Sequence, residues 1–320
     1  MKIAQYFQSA SEYVRAFRLI YGRNPTKNEL PTLEHLSKLL LKEQPRIFRA
    51  IISSYDHQVL RTPFSVRFSD KDLIYIPLHE FQLAVDALDF SVGQPLASGG
   101  YESHLRAFYQ TRLKPGMTFV DVGANIGLYS MLAAQLVGDS GRVISFEPNS
   151  ENCRLILLSI IKNQFANVSL FPLALSDVTG YTFFSTFLGS NGGMLPSDES
   201  VLGDPNCTVV PTMRMDDFIH ERVDIIKIDV EGAEGLVVRG AQKLIEMYRP
   251  LVTSEFSMEM LPRVSKMPGH DYLSYFRDHG YDVFMVDRGS GELLAIQSTE
   301  SFLDSYGSPT RIEDLVFVPR

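Results

Sequence analysis

Three carboxylates fall within six residues of the run KIDVEGAE: Asp229, Glu231 and Glu234. Acids this close raise one another's pKa, and a carboxyl so raised suits a general base. Lys227 lies two residues before Asp229, on the same face if the run is a strand, and would pair with it or meet a substrate. Glu234 would complement the start of the helix that follows. Glu255 in TSEF could contact an acceptor, and His104 in YESHL is an alternative base. Asp224, Asp229, Glu231 and Glu255 could offer oxygens to a divalent cation. No histidine pair or cysteine cluster supports a transition metal, and no metal ligand is assigned.

A second set of residues could hold a nucleoside. In FVDVGANIGLYSMLAAQL, Gly123 and Gly127 permit a tight turn and close backbone approach. A dinucleotide loop has the form G-x-G-x-x-G; here Leu128 stands where the third glycine would fall. Such a loop suits a nucleoside without a pyrophosphate, such as S-adenosylmethionine. Glu147, in FEP, lies 20 residues after Gly127. A carboxylate at that strand tip can accept both hydrogen bonds of a ribose diol. In LALSD, the backbone near Ala174 and Ser176 could face an adenine edge, and Asp177 could accept from its amine.

These residues need strand tips to position them, and the chain supplies a βα rhythm. MTFVDVG, GRVISFEP, NVSLFPLALSD, VDIIKIDVEG, RPLVTSEF, YDVFMVD and EDLVFVPR read as strands. GLYSMLAAQLVG, SENCRLILLSIIKNQF with Ser150 as N-cap, AEGLVVRGAQKLIEMY and HDYLSYFRDHG read as helices. Alternating strands and helices predict a parallel α/β sheet covered on both faces. The last two strands read as an antiparallel hairpin at one edge. STFLGSNGGMLPSDES is polar and glycine-rich and reads as a mobile substrate loop, with Asn191 a candidate hydroxyl contact. Upstream, residues 1–60 read as a helical module, 61–114 as a β-rich entry segment with a helix, and 115–320 as the catalytic domain.

VDVGANIGLYS, FEPNSEN, PLALSD and DIIKIDVEGAEGLVVRGA resemble the FkbM family of S-adenosylmethionine-dependent methyltransferases. GGYESHLRAFYQTRLKPG and DLVFVP also match it, so the resemblance covers about residues 62–320. It implies a class I methyltransferase fold: a Rossmann-like, seven-stranded sheet with one antiparallel strand. It also implies methyl transfer mostly to oxygen, often on sugar hydroxyls. Carried over, Asp121, Gly123, Asn125 and Gly127 would line the methionine and ribose part of the cofactor, and Glu147 would hold the ribose. Tyr101 and Glu102 match a family position, with Glu102 meeting the cofactor's ammonium group.

Composition narrows the acceptor. The net charge of −8 disfavours a partner with a long phosphate footprint, so nucleic acid is not expected. Asp229-Val-Glu231-Gly differs from the [DN]-P-P-[YFW] tip of enzymes that methylate base amines. The expectation is an O-methyltransferase for a sugar of a glycan, glycolipid or glycosylated natural product. The alternatives are a carboxylate or non-sugar hydroxyl acceptor, and a silent cofactor-binding protein. Residues 1–60 hold nine Lys/Arg and five Asp/Glu, a positive surplus that could support dimerisation or peripheral membrane contact. No apolar run is long enough to span a membrane, two cysteines suit a reducing compartment, and a cytoplasmic enzyme is expected.

Overall fold

The computed structural model describes residues 73–78, 81–99, 101–188, 190–195 and 206–320. The helical module expected over residues 1–60 lies outside these. The described chain opens with a hairpin, β1 (Leu73–Leu78) and β2 (Phe81–Asp86), then α1 (Gly93–Ala97) and α2 (Ser103–Arg112). The βα alternation follows with β3 (Thr118–Val122), α3 (Leu128–Val137), β4 (Arg142–Phe146), α4 (Ser150–Asn163) and β5 (Val168–Phe171). A run of strands comes next: β6 (Ala174–Leu175), β7 (Gly180–Leu188), β8 (Asn191–Met194) and β9 (Cys207–Met213). The remainder is β10 (Ile225–Ile228), α5 (Glu234–Gly240), α6 (Gln242–Tyr248), β11 (Leu251–Ser257), α7 (Met260–Val264), α8 (Gly269–Asp278), β12 (Tyr281–Val286), β13 (Leu293–Ala295), α9 (Thr299–Asp304) and β14 (Ile312–Pro319).

The large sheet has the order β13-β12-β14-β11-β10-β3-β4-β5. Strands β10, β3, β4 and β5 pair in parallel, as do β10 and β11. β14 runs antiparallel to both β11 and β12. Seven strands with one reversed match the expectation, and the short β13 adds an eighth at the edge. The last two expected strands, β12 and β14, do pair antiparallel, but not as an edge hairpin: β14 inserts between β12 and β11, and β13 takes the edge. Leu315, Val316 and Phe317 are fully buried in succession, which an edge strand does not provide.

Alternation across the sheet builds two core layers. Phe119 enters the layer with α3 and α4, while Val120 and Val122 enter the layer with α5, α6 and α8. Phe276 of α8 stacks on Phe317 of β14, with ring centroids 3.7 Å apart. Helix α3 stops at Gly138, as expected. Helix α4 is capped by Asn149, whose side chain accepts from the Glu151 amide, rather than by Ser150. AEGLVVRGAQKLIEMY forms two helices that break at Ala241. A Cβ on Gly240 would lie 2.1 Å from the Ser176 carbonyl oxygen, so the break accompanies a close approach of α5 to the chain after β6.

Two further expectations change here. NVSLFPLALSD is not one strand: β5 ends at Phe171, and Ala174–Leu175 pair with β9 in a separate four-stranded sheet of order β6-β9-β7-β8. Pro172 has no N–H to continue the ladder. The described part of the expected substrate loop is the β7–β8 hairpin, with residues 196–200 outside the described chain. The connection from β5 to β10 is therefore largely this second sheet.

Candidate active site

The tips of β3, β4, β10 and β11 converge on a cavity that opens to solvent. Gly123, Ala124 and Asn125 form its floor after β3. The Phe146 carbonyl accepts from both the Gly123 and Ala124 amides at 3.0 Å, which pins the loop to the end of β4. Gly123 has φ +78°, and a Cβ there would lie 1.9 Å from the Asp229 carbonyl oxygen, so only glycine lets the β3 and β10 tips meet.

Glu147 is buried in the cavity wall. Its Oε2 accepts from the Asn125 amide and its Oε1 from the Asn149 amide, each at 2.8 Å. Burial pushes its carboxyl up to about 8, although these amides and Asn152 favour the anion. A carboxylate has more acceptor sites than these donors fill, which leaves capacity for a diol.

The acid run behaves as a unit. Buried Lys227 places Nζ 2.9 Å from Asp229 Oδ2 and 3.9 Å from Asp121 Oδ1. Burial works against its charge, but the two aspartates more than offset this and hold it protonated. Glu231 sits on the tight turn after β10 at φ 54°, followed by Gly232 at φ 96°. Burial, then the Asp229 charge, pushes its carboxyl up to about 7. Glu255 lies deep in the same cavity, and burial followed by Asp229, Glu231 and Glu234 raises it well above the carboxylate range. Neither Glu231 nor Glu255 draws a side-chain hydrogen bond among the described residues. Glu234 turns back instead and accepts from the Val230 and Gly232 amides, a structural role.

At the entrance, Glu102 precedes α2 in a left-handed conformation, φ 43°, and makes no cap hydrogen bond. Its carboxylate faces the cavity and accepts from the Tyr129 hydroxyl at 2.6 Å. Burial, then Asp229, raises its pKa. Tyr129, a residue sequence reasoning missed, also carries Lys227 over its ring at 5.1 Å from the centroid. Its only sequence signal is an aromatic in the first turn after the glycine loop.

Other candidates lie elsewhere. Asp121 is fully buried behind Lys227, where it accepts from Ser130 Oγ, and does not line the cavity. Gly127 is outside the wall too: its φ of +89° starts α3, and a Cβ would press on Ile156. Ala174 and Leu175 of β6 reach the cavity, but Ser176 and Asp177, past the end of β6, do not. Asp177 pairs with Arg239 at 2.9 Å. His104 pairs with Asp314 at 2.9 Å, away from the wall. Asp224 precedes β10, at the opposite end from Asp229, and accepts from the Thr118 amide, so the four acids cannot share one cation. No metal-holding group occurs among the described residues.

Asn191, Ser190, Gly192, Phe184 and Met194 of the β7–β8 hairpin roof the cavity. A Cβ on Gly193 would lie 3.2 Å from the Glu231 Cβ, so the hairpin reaches the acid turn. Around the cavity stand five carboxylates, Glu102, Glu147, Asp229, Glu231 and Glu255, against one cation, Lys227. A ligand of net positive charge would draw the raised pKa values of these glutamates back down and be held by the resulting anions, and Glu147 is placed to accept from a diol. S-adenosylmethionine, with its sulfonium, ammonium and ribose, meets both conditions.

A seven-stranded sheet with one reversed strand, an acid at the second strand tip and this cavity define a class I S-adenosylmethionine-dependent methyltransferase. The family model of the methyltransferase FkbM domain matches residues 121–283, and the chain belongs to that family. Ribosomal RNA large subunit methyltransferase E of Hahella chejuensis is 22% identical over 190 residues, 59% of this chain and 70% of that protein. Methyltransferase FkbM from Methylobacillus flagellatus KT is 17% identical and superposes with a TM-score of 0.40, covering 63% of this chain and 43% of that one. The putative transferase PH0793 from Pyrococcus horikoshii is 14% identical, covers 90% and 97%, and has a TM-score of 0.38.

Proposed function

We propose that this methyltransferase acts on a hydroxyl of a sugar in a glycan, glycolipid or glycosylated natural product. The observation that carries the reading is Glu231: a cavity-facing carboxyl with no side-chain hydrogen bond among the described residues, its pKa raised to about 7. A hydroxyl is a poor nucleophile until it loses its proton, and a group near neutrality takes that proton efficiently. Bound in the cavity, S-adenosylmethionine supplies a methyl group on a cationic sulfur. Glu147 and Glu102 hold the donor's ribose and ammonium ends. Lys227 keeps Asp229 in place beside the reacting groups, Glu231 receives the acceptor's proton, and Glu255 accepts from a second hydroxyl. An acid-lined wall suits a polyol, whose hydroxyls can both donate to and accept from carboxyl groups.

The relative from Hahella chejuensis favours a second reading, in which the acceptor is RNA. Methyl-labelled S-adenosylmethionine is incubated with the protein and either a glycoside panel or total ribosomal RNA. Label on a sugar hydroxyl of a glycoside supports the proposal. Label on RNA alone, or on a carboxylate or nitrogen, overturns it.

A further inference from the structure

The polar links between the donor loop and the cavity roof have a direction that can be read from their chemistry. The Ile126 backbone N–H can only donate, and the side-chain atom it meets at 2.7 Å is therefore Asn125 Oδ1. The other end of that side chain is the amide nitrogen, which donates to Asn191 Oδ1 at 2.8 Å. Asn191 thereby points its oxygen at Asn125, and its own Nδ2 meets no acceptor among the described residues. The Asn125 backbone amide donates to Glu147 Oε2. One asparagine thus joins the ribose acid to the roof.

A second asparagine does the same from the other side. Buried Asn152 of α4 neighbours the Glu147 carboxyl, whose charged form its side chain favours, and donates through Nδ2 to the Ser190 carbonyl at 2.8 Å. Ser190 Oγ in turn donates to Asp89 Oδ2 at 2.7 Å. Adjacent residues of the β7–β8 turn are therefore held by two asparagines that meet on one carboxylate. The same hairpin packs on Glu231 through Gly193 and lines the cavity.

We propose that Asn125 and Asn152 are positioning residues that transmit donor occupancy from Glu147 to the roof, so that S-adenosylmethionine binds first and shapes the acceptor side. The inference rests on the assignment of Glu147 to the donor. A diol on Glu147 fixes its carboxylate, which fixes both asparagines, which orders Ser190 and Asn191. Coupling of this kind is reciprocal: whatever the donor does to the roof, a ligand under the roof does to donor affinity.

The test is hydrogen–deuterium exchange of residues 190–194 in the full chain, with and without saturating S-adenosylhomocysteine, alongside calorimetric titration of the same ligand. In the unaltered protein the ligand is expected to slow exchange in this segment at least tenfold. Asn191→Ala breaks the Asn125 link and is expected to lose most of that slowing while still binding. Asn191→Asp keeps an oxygen facing Asn125 Nδ2 and is expected to retain it, a rescue that a merely structural role would not produce. Binding without slowing in the unaltered protein overturns the coupling and leaves the donor site standing. Equal slowing in the alanine variant also overturns it. Failure of S-adenosylhomocysteine to bind at all overturns both this inference and the donor assignment.

Discussion

Replacement of Glu231 by glycine should stabilise the protein and disable it. Glu231 holds φ 54°, and a residue with a Cβ in the left-handed region costs about 1–2 kcal/mol that glycine avoids. The second contribution is charge. The folded carboxyl has a pKa of about 7 against an ordinary 4.5, so between those values the folded state keeps a proton the unfolded state has lost. Stability therefore falls as pH rises from about 4.5 to 7 and stays lower above it. The rise corresponds to about 3 kcal/mol, reduced to about 1–2 kcal/mol because the carboxyl touches cavity water. At pH 8 both contributions act, and Glu231→Gly should gain about 2–4 kcal/mol, roughly 4–16 °C in Tm. At pH 5 only the backbone contribution is near full size, and the gain should shrink to about 1 kcal/mol. Glu231→Ala keeps the backbone strain and should show the pH-dependent part alone. Methyl transfer should fall by about 10²–10⁴-fold in both variants. The assays are thermal melts at the two pH values and transfer of labelled methyl to the acceptor identified in the labelling experiment. A glycine variant that melts below the parent at both pH values refutes the strain and burial argument. One that keeps a tenth or more of the activity refutes the base.

Three other outcomes are expected. The transfer rate should rise about tenfold per pH unit below about 7 and level above it, since the base must be deprotonated, and a pH–rate profile of Glu231→Gln should lack that limb. Lys227→Met strands Asp229 and buried Asp121 without their cation and should cost about 3–5 kcal/mol in denaturant melts; adding Asp121→Asn should recover part of it. Gly123→Ala drives a Cβ to 1.9 Å from the Asp229 carbonyl at a positive φ, and should cost about 3 kcal/mol or more, read by circular dichroism.

The parallel core was legible because its signals are local. Ile225–Ile228 is buried residue by residue, and a strand with both faces covered reads as a continuous apolar run. The place of Glu147 in the cavity wall was legible because the distance from the glycine loop is set by one helix and one strand. Asp121 was misjudged because adjacency to a binding loop says nothing about which face a strand residue takes; its face belongs to the layer of α3, where Ser130 meets it. Ser176 and Asp177 failed for a different reason. One proline ended β5, and the chain then joined another sheet whose pairings span tens of residues. The roof was unreadable in the same way. Its glycines depress strand propensity, yet Gly192 is required where a Cβ would meet the Phe184 ring at 2.4 Å. Long-range contact, not local preference, decides that segment.

Six residues other than glycine hold positive φ among the described residues: Glu102, Asn125, Gln164, Glu231, Arg249 and Lys266. Gln164 and Arg249 end α4 and α6, and Lys266 follows the Ser265 that ends α7. Left-handed residues are ordinary at such helix ends. The remaining three end no helix, and all three line the cavity. Asparagine tolerates this conformation, but glutamate does so at a cost, and glycine would serve the backbone better at Glu102 and Glu231. The side chains must therefore account for the residues chosen. Each strained position turns a polar group toward the cavity: the carboxylate held by Tyr129, the amide that joins Glu147 to Asn191, and the carboxyl proposed to take the proton. Positive φ at a proposed donor contact, a linking residue and a proposed base, around one cavity, places the strain where turns rather than strands aim the polar groups.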